Sequence, residues 1–329
     1  MITGLPLLDR LRLPLIAAPM LRVSGIELVS AACRAGIVGA FPTPNARTIE
    51  ELEAWLQRLD RERDEARAAG RPFGPYCPNL IMRRDPDQLR QAIARLAAHG
   101  TELVITSVGS PAAVMPQLRD AGIRVLADVA SVRHAHKALE AGVDGLVLLT
   151  AGAGGKTGWA NPFAFVRAVR AFYDGPVVLA GGLSDGASLW AARALGCTLG
   201  YMGTRFIATQ ESLAPPAYRQ MVVDASMDDI VLTRALTGLP ASWLRASLQA
   251  AGLDPDALPE HLSPAEATAR FGTGGTGATG DTARPARWAD VWSAGHACSG
   301  VHDVPTVAAV VDRLHAEYQA ARMAALATA

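Results

Sequence analysis

The chain has 329 residues, of which 50% are hydrophobic and 19% are charged, so it can bury one large core or two smaller ones. Its 31 basic and 31 acidic residues balance, which leaves no overall field to attract nucleic acid or an anionic membrane. No apolar run reaches the roughly 18 residues that a membrane-spanning helix needs. The four cysteines are scattered without metal-type spacing, and they fit the reduced thiols of a cytoplasmic protein.

Eight short apolar segments alternate with helical patterns along the first two thirds of the chain. Apolar residues on both faces are typical of buried parallel strands. The predicted strands lie within residues 14–18, 36–40, 73–80, 102–106, 123–127, 145–149, 176–180 and 199–202. The predicted helices begin near Ser24, Thr48, Asp85, Ser131 and Asp185, and one runs from 162 to 172. A repeat of about 20–35 residues predicts an α/β fold, a (β/α)8 barrel, with a doubly wound open sheet as the alternative.

The pattern changes after the eighth strand. We assign residues 1–212 to the barrel, 213–303 to a helical insertion or lid over its mouth, and 304–329 to a helix that returns to the barrel. Within the insertion, Ile230, Leu232 and Leu236 are at helical spacing. Its apolar helices fit either a homodimer interface or the core of the lid.

The Gly-rich loop at 151–159 superficially resembles the phosphate loop of NTPases. That motif requires a first glycine where this chain has Thr150, and Pro162 argues against a helix beginning at Lys156. A second Gly-rich stretch, at 271–281, matches a dinucleotide fingerprint in its letters alone. No apolar strand precedes it, so we interpret it as a flexible loop.

Two glycine turns follow the last two predicted strands. Gly181 and Gly182 end the seventh strand, and Gly203 and Thr204 end the eighth. Glycine lets backbone N–H groups approach an anion, and barrel enzymes often bind phosphate at these two strand ends. The sequence therefore predicts a phosphate site.

Other polar residues have both a structural and a functional interpretation. Ser107 ends the fourth strand but has no base nearby in sequence, so a serine hydrolase is a weak hypothesis. Asp128 ends the fifth strand and either caps the next helix or contacts a ligand. His296 either packs or contacts substrate, whereas His99 is expected on a solvated helix face. No set of residues has convincing metal spacing, so we expect no metal.

An ordered set of short motifs resembles the nitronate monooxygenases, also called 2-nitropropane dioxygenases. The resemblance spans roughly residues 13–302. The motifs are Ala18-Pro19-Met20, Asn79-Leu80, Ala153-Gly154-Gly155-Lys156-Thr157-Gly158, Ala180-Gly181-Gly182, Met202-Gly203-Thr204-Arg205-Phe206 and Trp292-Ser293-Ala294-Gly295. The resemblance implies an FMN-dependent (β/α)8 barrel that oxidises alkyl nitronates with O2.

By that resemblance, Gly181, Gly182, Gly203 and Thr204 would hold the FMN phosphate. The ribityl chain and the ring would be lined by Ala18, Pro19, Met20, Asn79 and Gly154. Asp128, Gly155, Ala180 and Met202 complete the expected cofactor contacts, and Ser107 and His296 are the expected substrate contacts.

Two positions depart from the pattern of the family. Lys156 stands where the loop usually carries His, and Asp128 stands where some relatives carry Lys. We expect Lys156 to be the catalytic residue, because its ammonium group can attract an anionic nitronate. A protonated Lys accepts no proton, so the sequence predicts that nitronates are preferred over neutral nitroalkanes.

The same resemblance leaves a second activity open. Some relatives in the wider family are enoyl-ACP reductases or NADH:quinone reductases, which reduce the flavin with NAD(P)H. A non-flavin phosphate-binding barrel and a non-catalytic flavin-binding protein are further alternatives.

Overall fold

The structure is a computed structural model that describes residues 5–260, 262–271 and 287–327. The glycine-rich stretch at 271–281 lies outside the described residues, except Phe271. The strands within these ranges are β1 (Leu15–Ala17), β2 (Val38–Pro42), β3 (Tyr76–Ile81), β4 (Leu103–Ser107), β5 (Arg124–Val129), β6 (Gly145–Leu149), β7 (Gly155–Lys156), β8 (Val177–Ala180), β9 (Leu199–Met202), β10 (Ile230–Thr233) and β11 (Ala241–Leu244).

Eight of these strands form a closed parallel barrel, in the order β1-β2-β3-β4-β5-β6-β8-β9. The first strand closes it, because Ile16 pairs with Val38 of β2 on one side and with Tyr201 of β9 on the other. The (β/α)8 barrel predicted from the sequence is confirmed, and the open-sheet alternative is excluded.

Helices follow the strands and begin at side chains that accept backbone hydrogen bonds. Thr48, Ser131 and Asp185 each accept from an N–H group in the first turn, as predicted. The α-helices are α1 (Ile26–Arg34), α2 (Ile49–Ala68), α3 (Pro86–Ala98), α4 (Met115–Asp120), α5 (Val132–Glu140), α6 (Pro162–Arg170), α7 (Gly186–Leu195), α8 (Thr204–Ile207), α9 (Pro216–Asp224), α10 (Arg245–Ala250), α11 (Pro264–Phe271) and α12 (Val307–Ala327).

The prediction that Ser24 caps α1 is wrong. Gly25 holds the cap position, and no side chain caps that helix. The Ser24 hydroxyl instead donates to the Ala18 carbonyl and accepts from the Met20 N–H, each at 3.0 Å. It therefore fixes the loop that follows β1, at the carboxyl end of the barrel.

Apolar side chains fill the barrel interior, and its amino end is closed. A 3-10 helix, Pro6–Arg10, places Leu5 and Leu7 in the same buried cluster as the inward side chains. Arg10 pairs with Glu102, just before β4, which places this helix at the amino ends of the strands. The inward apolar side chains include Ile16, Val38, Ala40, Cys77, Leu103, Ile105, Leu126, Val147, Val178, Ala180 and Leu199.

The segment after β9 is not entirely helical. Ile230–Thr233 and Ala241–Leu244 are strands that pair with each other, and β11 also pairs with β7 of the Gly-rich loop. The helix predicted from Ile230, Leu232 and Leu236 is wrong. Ile230 and Leu232 are two positions apart, which is the period of a strand, and β-branched and aromatic residues here favour strands. Within the described ranges, no helix combines the length and the apolarity needed to cross a bilayer.

His99 also differs from its prediction as a solvated residue. Its ring is half-buried, with Nδ1 2.6 Å from Asp60 Oδ2 and Nε2 3.0 Å from Glu53 Oε1. Burial opposes protonation, but the two carboxylates outweigh it and raise the pKa of His99. The histidine thus ties the end of α3 to α2.

The last helix packs tightly against α7. A Cβ atom added at Gly186 would lie 2.2 Å from the backbone nitrogen of Tyr318 and 2.3 Å from the carbonyl oxygen of Leu314. Trp190 and Tyr318 meet edge to face, with ring centroids 5.7 Å apart. Backbone contact at Gly186 therefore sets how closely α12 approaches.

Replacing Gly186 by alanine tests this contact. A glycine-to-alanine change usually stabilises a helix, but here the methyl group must push α12 away from the barrel. We expect a loss of about 2–3 kcal/mol and a fall in Tm of roughly 5 °C or more, measured by thermal unfolding. Ala187→Ser, at an exposed position of the same helix, is the control and should change Tm little. An unchanged Tm in Gly186→Ala would contradict the packing of these helices.

Candidate active site

Two glycine turns lie side by side at the carboxyl end of the barrel. Ala180 of β8 pairs with Tyr201 of β9, so the turns that follow these strands are neighbours. Gly181 and Gly182 have φ values of +127° and +75°, which disfavour other residues. A Cβ atom at Gly182 would meet nothing within 4 Å, so this turn faces open space.

The loop after β1 borders the second turn. A Cβ atom at Gly203 would lie 3.6 Å from Ala18 Cβ and 3.4 Å from Met20 Sδ. The Ala18 N–H donates to the Met202 carbonyl at 2.9 Å, which joins the loop to the end of β9. The predicted contacts Ala18, Met20, Met202 and Gly203 are therefore together, and Pro19 lies half-buried between the first two.

Asn45 holds this loop in place, and the sequence analysis missed it. Its Nδ2 donates to the carbonyl groups of Met20 and Ser24, both at 2.9 Å, and its Oδ1 accepts from the Arg22 N–H at 2.8 Å. Its position just after β2 could have indicated a role at the site, because the carboxyl ends of all the barrel strands meet at the same rim.

Asn79 and Ser107 form a buried pair on adjacent strands. The Asn79 amide donates to Ser107 Oγ at 3.1 Å and to the Ile105 carbonyl at 3.2 Å. Among the hydrogen bonds of the described residues, Ser107 Oγ pairs with the Asn79 amide and with no histidine, so no serine–histidine pair forms here. Asn79, the predicted cofactor contact, and Ser107, the predicted substrate contact, are thus hydrogen-bonded to each other on the inner wall of the barrel.

The Gly-rich loop is held between the barrel and the segment at 292–296. Gly295 N–H donates to Thr204 Oγ1 at 2.9 Å, and His296 N–H donates to the Gly152 carbonyl at 2.9 Å. A Cβ atom at Gly154 would lie 2.8 Å from Gly295 N. The His296 ring also packs against Gly152, which supports its structural interpretation.

Asp128 faces the barrel interior. It lies two residues after Leu126, an interior side chain, and alternate residues of a strand share a side. Ser131 caps α5, so Asp128 does not have the capping role. Its Oδ1 is fully buried and has no hydrogen-bond partner among the described residues. Burial raises the pKa of Asp128 to about 7, although the positive charge of Lys156 opposes the shift.

Lys156 lies on β7 and interacts with this carboxylate. Burial lowers the pKa of Lys156 to about 8, the charges of Arg83 and Arg287 lower it further, and Asp128 raises it. In the described part of the chain, no ion pair within 4 Å involves its ammonium group. Two groups with pKa values near neutrality therefore share the mouth, as is common at functional sites.

The described residues contain no group of three or more His, Cys, Asp or Glu side chains that could hold a metal ion. A closed (β/α)8 barrel with glycine turns and two interacting ionisable groups at its mouth is the arrangement of a barrel enzyme. The family model for nitronate monooxygenase matches residues 6–315, and the chain belongs to this family of oxidoreductases.

Individual relatives differ in the activity that their names state. A nitronate monooxygenase from Paraburkholderia phytofirmans is 30% identical over 285 residues, covering 74% of this chain and 76% of the relative. A (3aS,4S,5R,7aS)-5-hydroxy-7a-methyl-1-oxo-octahydro-1H-indene-4-carboxyl-CoA dehydrogenase from Mycobacterium tuberculosis is 28% identical over 241 residues, covering 71% of this chain and only 64% of the relative.

The fold has a close match among solved structures. FabK from Thermotoga maritima superposes with a TM-score of 0.75 at 24% identity, covering 98% of this chain and 97% of FabK. This similarity concerns the fold, and the barrel arrangement is the property that the two chains share.

Titration of Lys156 tests the electrostatics of the mouth. The chain contains two lysines, Lys137 and Lys156, so 13C-lysine labelling gives two resolvable signals, which Lys137→Arg assigns. We expect Lys156 to titrate near pH 8. Asp128→Asn should lower this midpoint, because it removes a negative charge, and Arg287→Gln should raise it. A midpoint near the ordinary value of about 10.4 in all three proteins would contradict the site geometry.

Proposed function

We propose that this chain is an FMN-dependent oxidoreductase that oxidises alkyl nitronates with O2 to carbonyl compounds and nitrite. The observation that carries the proposal is the pair of adjacent glycine turns at the carboxyl end of the barrel, the end at which Lys156 and Asp128 interact. Membership of the nitronate monooxygenase family supports it.

The residues at the mouth fit a phosphorylated flavin. A Cβ atom at Gly182 would project into open space, so only glycine leaves that space to a ligand. Thr204 Oγ1 accepts from Gly295, which leaves its hydroxyl hydrogen free to donate to a phosphate oxygen. The N–H groups of Gly181, Gly182 and Gly203 would complete the phosphate contacts, with Ala18, Met20, Asn79 and Gly154 along the rest of the cofactor.

Bound FMN would supply the acceptor for electrons from the substrate. Lys156 would attract the nitronate, which is already a carbanion equivalent and needs no base. Burial of Lys156 strengthens this attraction, because the effective dielectric constant is lower than in water. Segment 292–296 covers the Gly-rich loop and would limit the access of water from that side.

A second candidate is an FMN-dependent reductase that uses NAD(P)H to reduce a quinone or an enoyl thioester. The mycobacterial relative acts, by its name, on a carboxyl-CoA compound. Arg83 and Arg287 lie close enough to Lys156 to lower its pKa, and such a cationic mouth also suits the phosphates of coenzyme A.

Anaerobic titration of the FMN-loaded protein separates these functions. We expect ethyl nitronate to bleach the flavin absorbance rapidly, and NADH to do so far more slowly. Lys156→Met should lower kcat/KM for ethyl nitronate about 30-fold or more, because it removes the cation that meets the anion. Lys137→Met, at an exposed helix position, removes the other lysine and should leave the kinetics unchanged.

Rapid bleaching by NADH with no response to ethyl nitronate would select the second candidate. Equal kcat/KM values for Lys156→Met and the unmodified protein would show that Lys156 has no role in the reaction.

A further inference from the structure

Asp128 has a carboxylate oxygen without a hydrogen-bond partner among the described residues, and the nitronate reaction needs no base. Burying an acceptor without a partner costs about 1–3 kcal/mol, and a charged one costs more. Its Oδ1 is such an acceptor, and the neighbouring helix is capped by Ser131. A carboxylate maintained in this state keeps unused hydrogen-bonding capacity.

The surroundings of Asp128 favour a proton-transfer role. Three ionisable groups face it from other strands: Cys77 of β3, Tyr201 of β9 and Lys156 of β7. Burial raises the pKa of both the Cys77 thiol and the Tyr201 phenol well above their ordinary values, and Asp128 raises them further. Both groups stay protonated, so of these four described groups Asp128 and Lys156 are the two that exchange protons near neutral pH.

We propose that Asp128 is a catalytic general base that removes the α-proton of a neutral nitroalkane, so that such carbon acids are substrates as well as nitronates. This inference rests on the proposed function. The C–H bond breaks, the proton moves to a carboxylate oxygen of Asp128, and the electron pair is delocalised onto the nitro group. The product is a nitronate, whose negative charge Lys156 stabilises. The step needs no oxidant, and Asp128 later returns its proton to solvent.

The two groups define a narrow pH window for the neutral substrate. Asp128 accepts a proton only when it is ionised, above its pKa of about 7. Lys156 stabilises the product anion only while it is protonated, below its pKa of about 8. Because the groups interact, the measured pKa values belong to the pair. A preformed nitronate needs no base. The kcat/KM for ethyl nitronate should therefore not fall as the pH drops below about 7, but it should still fall as the pH rises above about 8.

The experiment compares nitroethane with ethyl nitronate in the FMN-loaded protein and in Asp128→Asn, with Asp120→Asn, an exposed aspartate, as the matched control. We expect Asp128→Asn to lower kcat/KM for nitroethane about 100-fold or more, as loss of a general base does. At a pH where Lys156 is protonated in both proteins, its kcat/KM for ethyl nitronate should stay within about 3-fold or rise, because a repelling charge is gone. Asp128→Glu should retain part of the nitroethane activity.

Hydrogen exchange gives a readout that does not depend on electron transfer. Without O2, the flavin is reduced in one turnover, and Asp128 should then continue to exchange the α-hydrogens of nitroethane for deuterium in D2O, followed by 1H NMR. Asp128→Asn should lose this exchange, and Asp120→Asn should keep it.

Equal losses for both substrates, or weaker FMN binding in Asp128→Asn, would assign Asp128 to the cofactor and overturn the inference. Unchanged nitroethane activity would overturn it as well. If the unmodified protein fails to oxidise ethyl nitronate, the proposed function fails, and α-hydrogen exchange alone then decides whether Asp128 is the base.

Discussion

The parallel pairing of β8 with β9 is the constraint on which the site depends. Parallel strands in one closed sheet must all end at the same rim, so two turns distant in sequence become neighbours. Gly181 and Gly182 of the first turn accept positive φ values, and a Cβ atom at Gly182 would lie in open space. At the amino end, Leu5 and Leu7 pack against the interior side chains and close the barrel.

The second determinant is the close approach of segment 292–296 to the Gly-rich loop. Gly154 and Gly295 approach so closely that a Cβ atom on either would clash with the other's backbone. This contact, with the pairing of β7 and β11, holds Lys156 in partly buried surroundings. Burial favours the neutral forms, so it lowers the pKa of Lys156 and raises that of Asp128. It also strengthens the interaction of each charged form with an anionic substrate, because the effective dielectric constant is lower than in water.

Much of the barrel was predictable, because its strands are short apolar runs that end in small residues, and because Thr48, Ser131 and Asp185 are recognisable caps. The segment after β9 was harder. Ile230 and Leu232 are two positions apart, which fits a strand rather than a helix, and their strand is stabilised by pairing with residues about ten positions away. Pairing between segments that are separated in the sequence leaves little pattern within either segment from which a strand could be predicted.

The sequence was sufficient to predict which strand ends carry the candidate site. It was not sufficient to predict which side chains contact each other there. Sequence alone left Asp128 as a cap or a ligand contact, since the choice depends on which side of β5 faces inward. The bond between Asn79 and Ser107 and the role of Asn45 depend on strand register and loop path, which only the structure contains.

The most direct measurement of the central claim, that the two glycine turns grip one phosphate, compares the binding of FMN and riboflavin by quenching of flavin fluorescence. One FMN should bind per chain, and riboflavin, which lacks the phosphate, should bind at least about 30-fold more weakly, because it forms none of the charge-assisted hydrogen bonds. Equal affinity for the two flavins, or binding of neither, would contradict a phosphate site at these turns.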